Sequence, residues 1–214
     1  MAPYIFMEKN GIHIIDLYKT MDKIEDACSA AKSIARSGRK ILFVATKKQA
    51  KETVASMVKE VNMPYVTERW PGGMLTNFFT IRKAVKKMSD IDRLFESPQF
   101  QNISKRGRLQ ISRERANLEK NLGSISDLSR LPAAVFIVDI MKEHIALAEA
   151  RKLAIPTFAI VDTNSNPNLV DYPIPANDDA SKSIAVVLNA ICDAIREGQA
   201  EREMNKDRIE EELS

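Results

Sequence analysis

Lys47 and Lys48 stand directly behind the apolar run Ile41-Leu42-Phe43-Val44 and just ahead of a helical stripe at Ala50, Val54, Met57 and Val61. A helix N-terminus offers unpaired N–H groups there, and two ammonium groups beside it would suit a phosphate. No pair of glycines spaced for a P-loop precedes them, so nucleotide binding of that type is excluded. Carboxylates form a second candidate: Asp139 follows Phe136-Ile137-Val138, Asp162 follows Ala159-Ile160-Val161, and Asp178-Asp179 lie near the next turn. Ligands gather at the carboxyl ends of parallel strands, where Asp139 and Asp162 could share a magnesium ion, as in a magnesium-dependent phosphate enzyme of flavodoxin-like fold. Against that stands their composition. Asp162-Thr163-Asn164 and Asn177-Asp178-Asp179 are residues that hydrogen-bond their own backbone in turns and caps, which is the expected role. His13 and His144 have no second histidine at ligand spacing, and Cys28 and Cys192 fall on apolar helical faces. No catalytic residue, metal site or cofactor is expected.

The third candidate is the loop Glu68 to Asn77, in which Arg69 and the single tryptophan, Trp70, adjoin Gly72 and Gly73. A guanidinium pairs bidentately with phosphate, and glycines let a polyanion approach the backbone closely. Trp70 is also placed to plug a joint between two parts of the chain. Beyond the loop, Arg82, Lys83, Lys86, Lys87, Lys105, Arg106, Arg108 and Arg113 form a long positive edge with few aromatics. Such an edge suits the phosphates of a folded duplex better than stacked single-stranded bases.

These residues need elements to position them. The pattern predicts a hairpin of Ile5-Phe6 and Ile12 to Ile15 across Asn10-Gly11, then a helix with an inner stripe of Leu17, Met21, Ile24, Cys28, Ala31 and Ala35 that stops at Gly38. Strands are predicted at Ile41 to Val44, Tyr65 to Thr67, Ala134 to Val138, Thr157 to Val161 and Asp171 to Ile174. Helical crossovers, the first capped by Thr46, separate most of them, which implies a mostly parallel sheet. Between Asn77 and Leu122 the alternation gives way to two helical series, Ile81, Val85, Met88, Phe95 and Ile111, Arg115, Leu118, Leu122. They fit an antiparallel coiled hairpin standing partly free of the core. Ile184, Val187, Leu188, Ile191 and Ile195 line a last helix, with a frayed, solvated end expected beyond Gly198. The division is an α/β body over 1–76 and 123–198, a coiled-coil arm over 77–122 and a charged tail over 199–214.

Length and charge agree with that division. A chain of 214 residues, 44% hydrophobic and 29% charged, suits one core with an appendage. The net charge is only +3, but residues 196–214 hold four basic and seven acidic residues, leaving +6 on the rest. The segment 78–130 alone holds 12 basic and 6 acidic residues, which points to a polyanionic partner. The longest apolar runs have six residues, far short of the roughly 20 needed to cross a bilayer as a helix. Two isolated cysteines and no secretory leader suggest a reduced, cytoplasmic setting.

Several blocks together carry a resemblance: IHIIDL from Ile12, LFVATKKQA from Leu42, ERWPGGMLTNFFTI from Glu68, LEKNLGSI from Leu118, EARKLAIPTFAIVDTN from Glu149 and IPANDD from Ile174. In this order they resemble the bacterial type of the small-subunit ribosomal protein S-two family. Ala45, Pro71, Ser124 and Ala176 stand where that family usually has Gly, Leu, Gly and Gly, and Ser165-Asn166 replaces a usual Cys-Asp. Family members also usually carry several dozen residues ahead of Pro3-Tyr4-Ile5, so the chain looks late-started by that measure. The resemblance implies a flavodoxin-like three-layer body with an inserted α-helical coiled-coil hairpin, in a non-catalytic, ribosome-bound component. It implies binding to small-subunit (16S-type) ribosomal RNA and to other small-subunit proteins, including recruitment of the messenger-binding protein S-one, with no membrane and no small-molecule substrate. The positions it carries over are Lys47, Lys48, Arg69, Trp70, Gly72, Gly73 and Asn77.

Overall fold

The computed structural model describes residues 1–213, with side chains through Arg208. Two strands, β1 (Ile5–Lys9) and β2 (Ile12–Ile15), pair antiparallel with Lys9 opposite Ile12. Asn10 and Gly11 both have positive φ, the backbone that a two-residue hairpin matched to strand twist demands. Asp16 then starts α1 (Leu17–Arg36) by accepting the Tyr18 N–H at 3.1 Å, and Gly38 turns the chain out at φ +73°.

The chain next alternates: β3 (Ile41–Val44), α2 (Lys48–Glu60) and β4 (Tyr65–Val66), then a helical pair α3 (Phe78–Glu96) and α4 (Lys105–Leu122). It continues with β5 (Ala134–Val138), α5 (His144–Lys152), β6 (Thr157–Val161), β7 (Tyr172–Pro175) and α6 (Ser181–Leu213). The five strands β3 to β7 form one parallel sheet in the order β4-β3-β5-β6-β7. That order is the flavodoxin-like one. The three central strands read as unbroken apolar runs because both of their faces are covered, and every residue of β3, β5 and β6 is buried.

Alternate strand residues feed two cores. Phe43, Phe136, Phe158 and Ile160 point to the layer made by α1, α2 and α6, where Ala27, Ala31, Ala35, Ala50, Val54, Ile184, Leu188 and Ile191 meet them. Leu42, Val44, Val135, Ile137 and Ala159 point to the opposite layer, with Trp70, Met74, Leu75, Ala146 and Leu147. Val85 of α3 and Leu122 of α4 belong to that second core, and Phe78, Ile81, Ala84 and Leu118 lie against it. The base of the helical pair is therefore body. Topologically the pair is the crossover from β4 to β5, so its first turns do the covering that a single crossover helix would do. Farther out, Met88 and Ile91 are buried along α3 and Arg115 bridges the two helices to Asp92 at 2.5 Å.

Three expectations are corrected. Leu17 and Met21 are exposed, and the first turns of α1 bury Thr20 instead, whose hydroxyl donates to the Pro175 carbonyl at 2.7 Å. Thr46 does not cap α2; Lys47 holds the cap position without a side-chain cap bond, while the Thr46 N–H donates to Glu143 at 2.9 Å. Gly198 does not end the last helix. The helix runs on to Leu213, and Glu201 pairs with Lys32 at 2.9 Å. Of the expected tail, Ser214 lies outside the described residues. A Cβ on Gly198 would sit 2.4 Å from the Lys32 carbonyl oxygen, so this glycine marks where α6 crosses α1 at closest approach.

Candidate nucleic-acid interface

The loop from Glu68 to Asn77 is built around a residue outside it. Glu149, on the inner side of α5 between Ala146 and Ala150, is buried and points its carboxylate into the loop. One oxygen accepts from Trp70 Nε1 at 3.1 Å and the Gly73 N–H at 2.7 Å. The other accepts from the Leu75 N–H at 2.9 Å, the Thr76 N–H at 3.0 Å and the Thr76 hydroxyl at 3.1 Å. Burial opposes ionisation of this group, yet the hydrogen bonds from Thr76, Trp70, Gly73 and Leu75 prevail and hold its pKa below the usual glutamate value. Gly73 reaches the carboxylate at φ +86°, a conformation few side chains tolerate. Five donors converging on one charge fix the loop as it enters α3.

Fixing the loop sorts the expected contact residues into two groups. Arg69, Gly72 and Asn77 are exposed, as are Arg82, Lys83, Lys86, Lys87, Lys105, Arg106, Arg108 and Arg113 along the helical pair, and Lys48 at the start of α2. Within the edge some are braced: Arg82 Nη1 donates to the Leu128 carbonyl at 3.1 Å, Lys87 pairs with Glu114 across the two helices, and Lys83 Nζ lies 4.4 Å from the centre of the Phe79 ring. Bracing limits side-chain freedom and lowers the entropy lost on meeting a phosphate.

Three expected contacts are placed elsewhere, among them Gly73, half-buried with its N–H on Glu149. Trp70 is only 7% exposed and its indole N–H is spent on Glu149, so it plugs the joint and presents nothing to a ligand. The Lys47 ammonium is bound by Asp139 at 3.1 Å and by Asp178 and Asp179 at 2.7 Å each, in a cluster where its side chain is 13% exposed. Burial works against that charge, but the bonds to Asp178, Asp179 and Asp139 outweigh it and raise the lysine's pKa. Asp139, Asp162 and the amide of Asn177 fold back on the backbone as their composition suggests, whereas Asp178 and Asp179 turn to Lys47. Asp139 accepts from the Met141 and Lys142 N–H groups at 3.0 and 3.1 Å, Asp162 from Thr163 at 2.5 Å, and Asn177 from Asp179 and Ala180 at 2.8 and 3.0 Å. Neither Asp139 nor Asp162 faces an activated nucleophile in these contacts.

Glu149 is the functional residue that sequence reasoning misses. Its signal is a charged residue three positions from Ala146 and one before Ala150, on the face of α5 that otherwise carries only apolar side chains inward.

The profile of the family described as Ribosomal protein S2 matches residues 1–198. The small ribosomal subunit protein uS2 of Azobacteroides pseudotrichonymphae is 69% identical over 205 residues, covering 96% of this chain and 78% of the relative. Proteins of the same name from Flavobacterium psychrophilum (67% over 207 residues; 97% and 78% covered) and Parabacteroides distasonis (64% over 206 residues; 96% and 74% covered) are similar as well.

Proposed function

Because this chain belongs to the ribosomal protein S2 family, a family of structural, non-enzymatic proteins of the small ribosomal subunit, we propose that it binds small-subunit ribosomal RNA chiefly through phosphates. Arg69, Gly72 and Asn77 of the loop, Lys48, and the edge of Arg82, Lys83, Lys86, Lys87, Lys105, Arg106, Arg108 and Arg113 make that contact, while Trp70, Gly73 and Glu149 position it. Lys47 serves the body. One observation carries this reading: an exposed basic edge on a helical pair whose base is locked into the sheet and whose entry loop is fixed by Glu149. Recruitment of the messenger-binding protein S-one and residence on cytoplasmic ribosomes follow from the family resemblance and are part of the same proposal. The magnesium-dependent phosphate enzyme has no support, since the relatives are ribosomal structural proteins.

Binding to a small-subunit RNA fragment, measured across a salt series, tests it. Affinity falls linearly on a log–log plot, and replacing Lys83, Lys86 and Arg106 with alanine lowers it for all sequences and flattens the slope by about one unit for each phosphate no longer neutralised. A salt-independent affinity, or weakening confined to one RNA sequence, overturns the phosphate reading.

A further inference from the structure

Four aspartates collect at the carboxyl edge of the sheet: Asp139 behind β5, Asp162 behind β6, and Asp178 and Asp179 behind β7. A single ammonium, Lys47, reaches three of them. One oxygen from each of Asp162, Asp178 and Asp179 lies within 4.8 Å of the others. Asp178 is the telling member. It is 1% exposed, its Oδ1 is taken by Lys47, and its Oδ2 is buried with no hydrogen-bond donor. A buried carboxylate oxygen without a partner is among the most expensive groups in a fold, more so with other carboxylates beside it.

We propose that Asp162, Asp178 and Asp179 bind a hard divalent cation of the magnesium, manganese and calcium class, with Asp178 as the buried ligand. The cluster is all oxygen, the donor set that favours those ions over zinc or copper. Four carboxylates against one ammonium leave an excess of three negative charges, which a dication reduces to one, and Lys47 keeps its place on Asp178 Oδ1. The ion ties the end of β6 to the turn between β7 and α6. Its role is structural, and the proposal does not rest on the RNA reading.

The test is a titration of the full-length protein, freed of metal by chelator, with Mn²⁺, following the loss of the free-ion electron paramagnetic resonance signal. One saturable site is expected, displaced by Mg²⁺ or Ca²⁺. Asp162→Asn keeps an acceptor for the Thr163 N–H and so keeps the fold, checked by circular dichroism, while weakening Mn²⁺ at least about tenfold. Asp127→Asn, on the surface elsewhere, leaves binding unchanged. Absence of saturable binding, or binding that survives both Asp162→Asn and Asp179→Asn, overturns the proposal. So does an Asp178 carboxyl carbon signal that titrates as a protonated acid and does not respond to Mg²⁺, because a shared proton would then satisfy the buried oxygen.

Discussion

At the scale of single residues, Glu149 fixes more of the entry loop than any lysine does. Hydrogen bonds to a charged acceptor contribute about 1.5–3 kcal/mol each to net stability, and removing a buried charge from its donors leaves those donors unsatisfied. Glu149→Gln keeps the shape but turns an amide N–H₂ toward backbone N–H donors. We expect it to destabilise the fold by about 2–4 kcal/mol in chemical denaturation, with the RNA affinity falling alongside. The pH dependence has a definite sign. A carboxyl whose folded pKa lies below its unfolded one contributes its full stabilisation above the ordinary glutamate range, and that contribution fades as pH falls through the lowered folded value. Below neutrality, wild type should therefore lose stability relative to the glutamine variant only in that acidic window; parallel curves down to acid would show that Glu149 is not the linked group. The residue is hard to read from sequence because charged side chains are assigned outward by default, and nothing in the local pattern announces that five donors from a loop 73 to 79 positions away will converge on it.

Elements were more legible where burial is two-sided. The strands Ala134–Val138 and Thr157–Val161 stand at their predicted limits, because a run of apolar residues with no alternation can only be a strand covered on both faces or a short buried helix, and the flanking turn residues decide between them. Glycine misleads at the other end of the chain. A glycine after an apolar stripe signals a helix stop, yet Gly198 lies within α6 and makes room for the α1 backbone. The two readings predict opposite signs for one substitution. Alanine is favoured over glycine by about 1 kcal/mol in an exposed helix. At this crossing its Cβ would strike the Lys32 carbonyl and approach Ala35, so Gly198→Ala should lower stability by about 1–3 kcal/mol, read as a fall in the denaturation midpoint at unchanged slope.

For the whole molecule, the sequence suggested an arm over residues 77–122 standing partly free of the core, but its base lies among core residues. Val85 and Leu122 belong to the same core as residues of β3 and β5 that are distant in the chain, and no periodicity within the arm encodes that membership. We place the detachable part beyond Met88. A variant joining the helices by a short turn in place of residues 90–113 should unfold cooperatively near the wild-type midpoint and lose most RNA affinity. Removing all of 77–122 strips two core residues and their covering neighbours and should cost several times the roughly 2–5 kcal/mol of one large-to-small core change. Equal stability of the two deletions would return the boundary to the base of the arm.

The basic charge of the chain is one-sided: the +6 segment 78–130 springs from a single layer of the sheet. In the field of a polyanion so eccentric a charge experiences a torque before it touches anything, turning the helical pair inward. That orienting couple reaches only about a Debye length, about 8 Å at physiological ionic strength. Docking in the correct attitude is then favoured at encounter, and the helical pair acts as a rudder as well as a wall of the core.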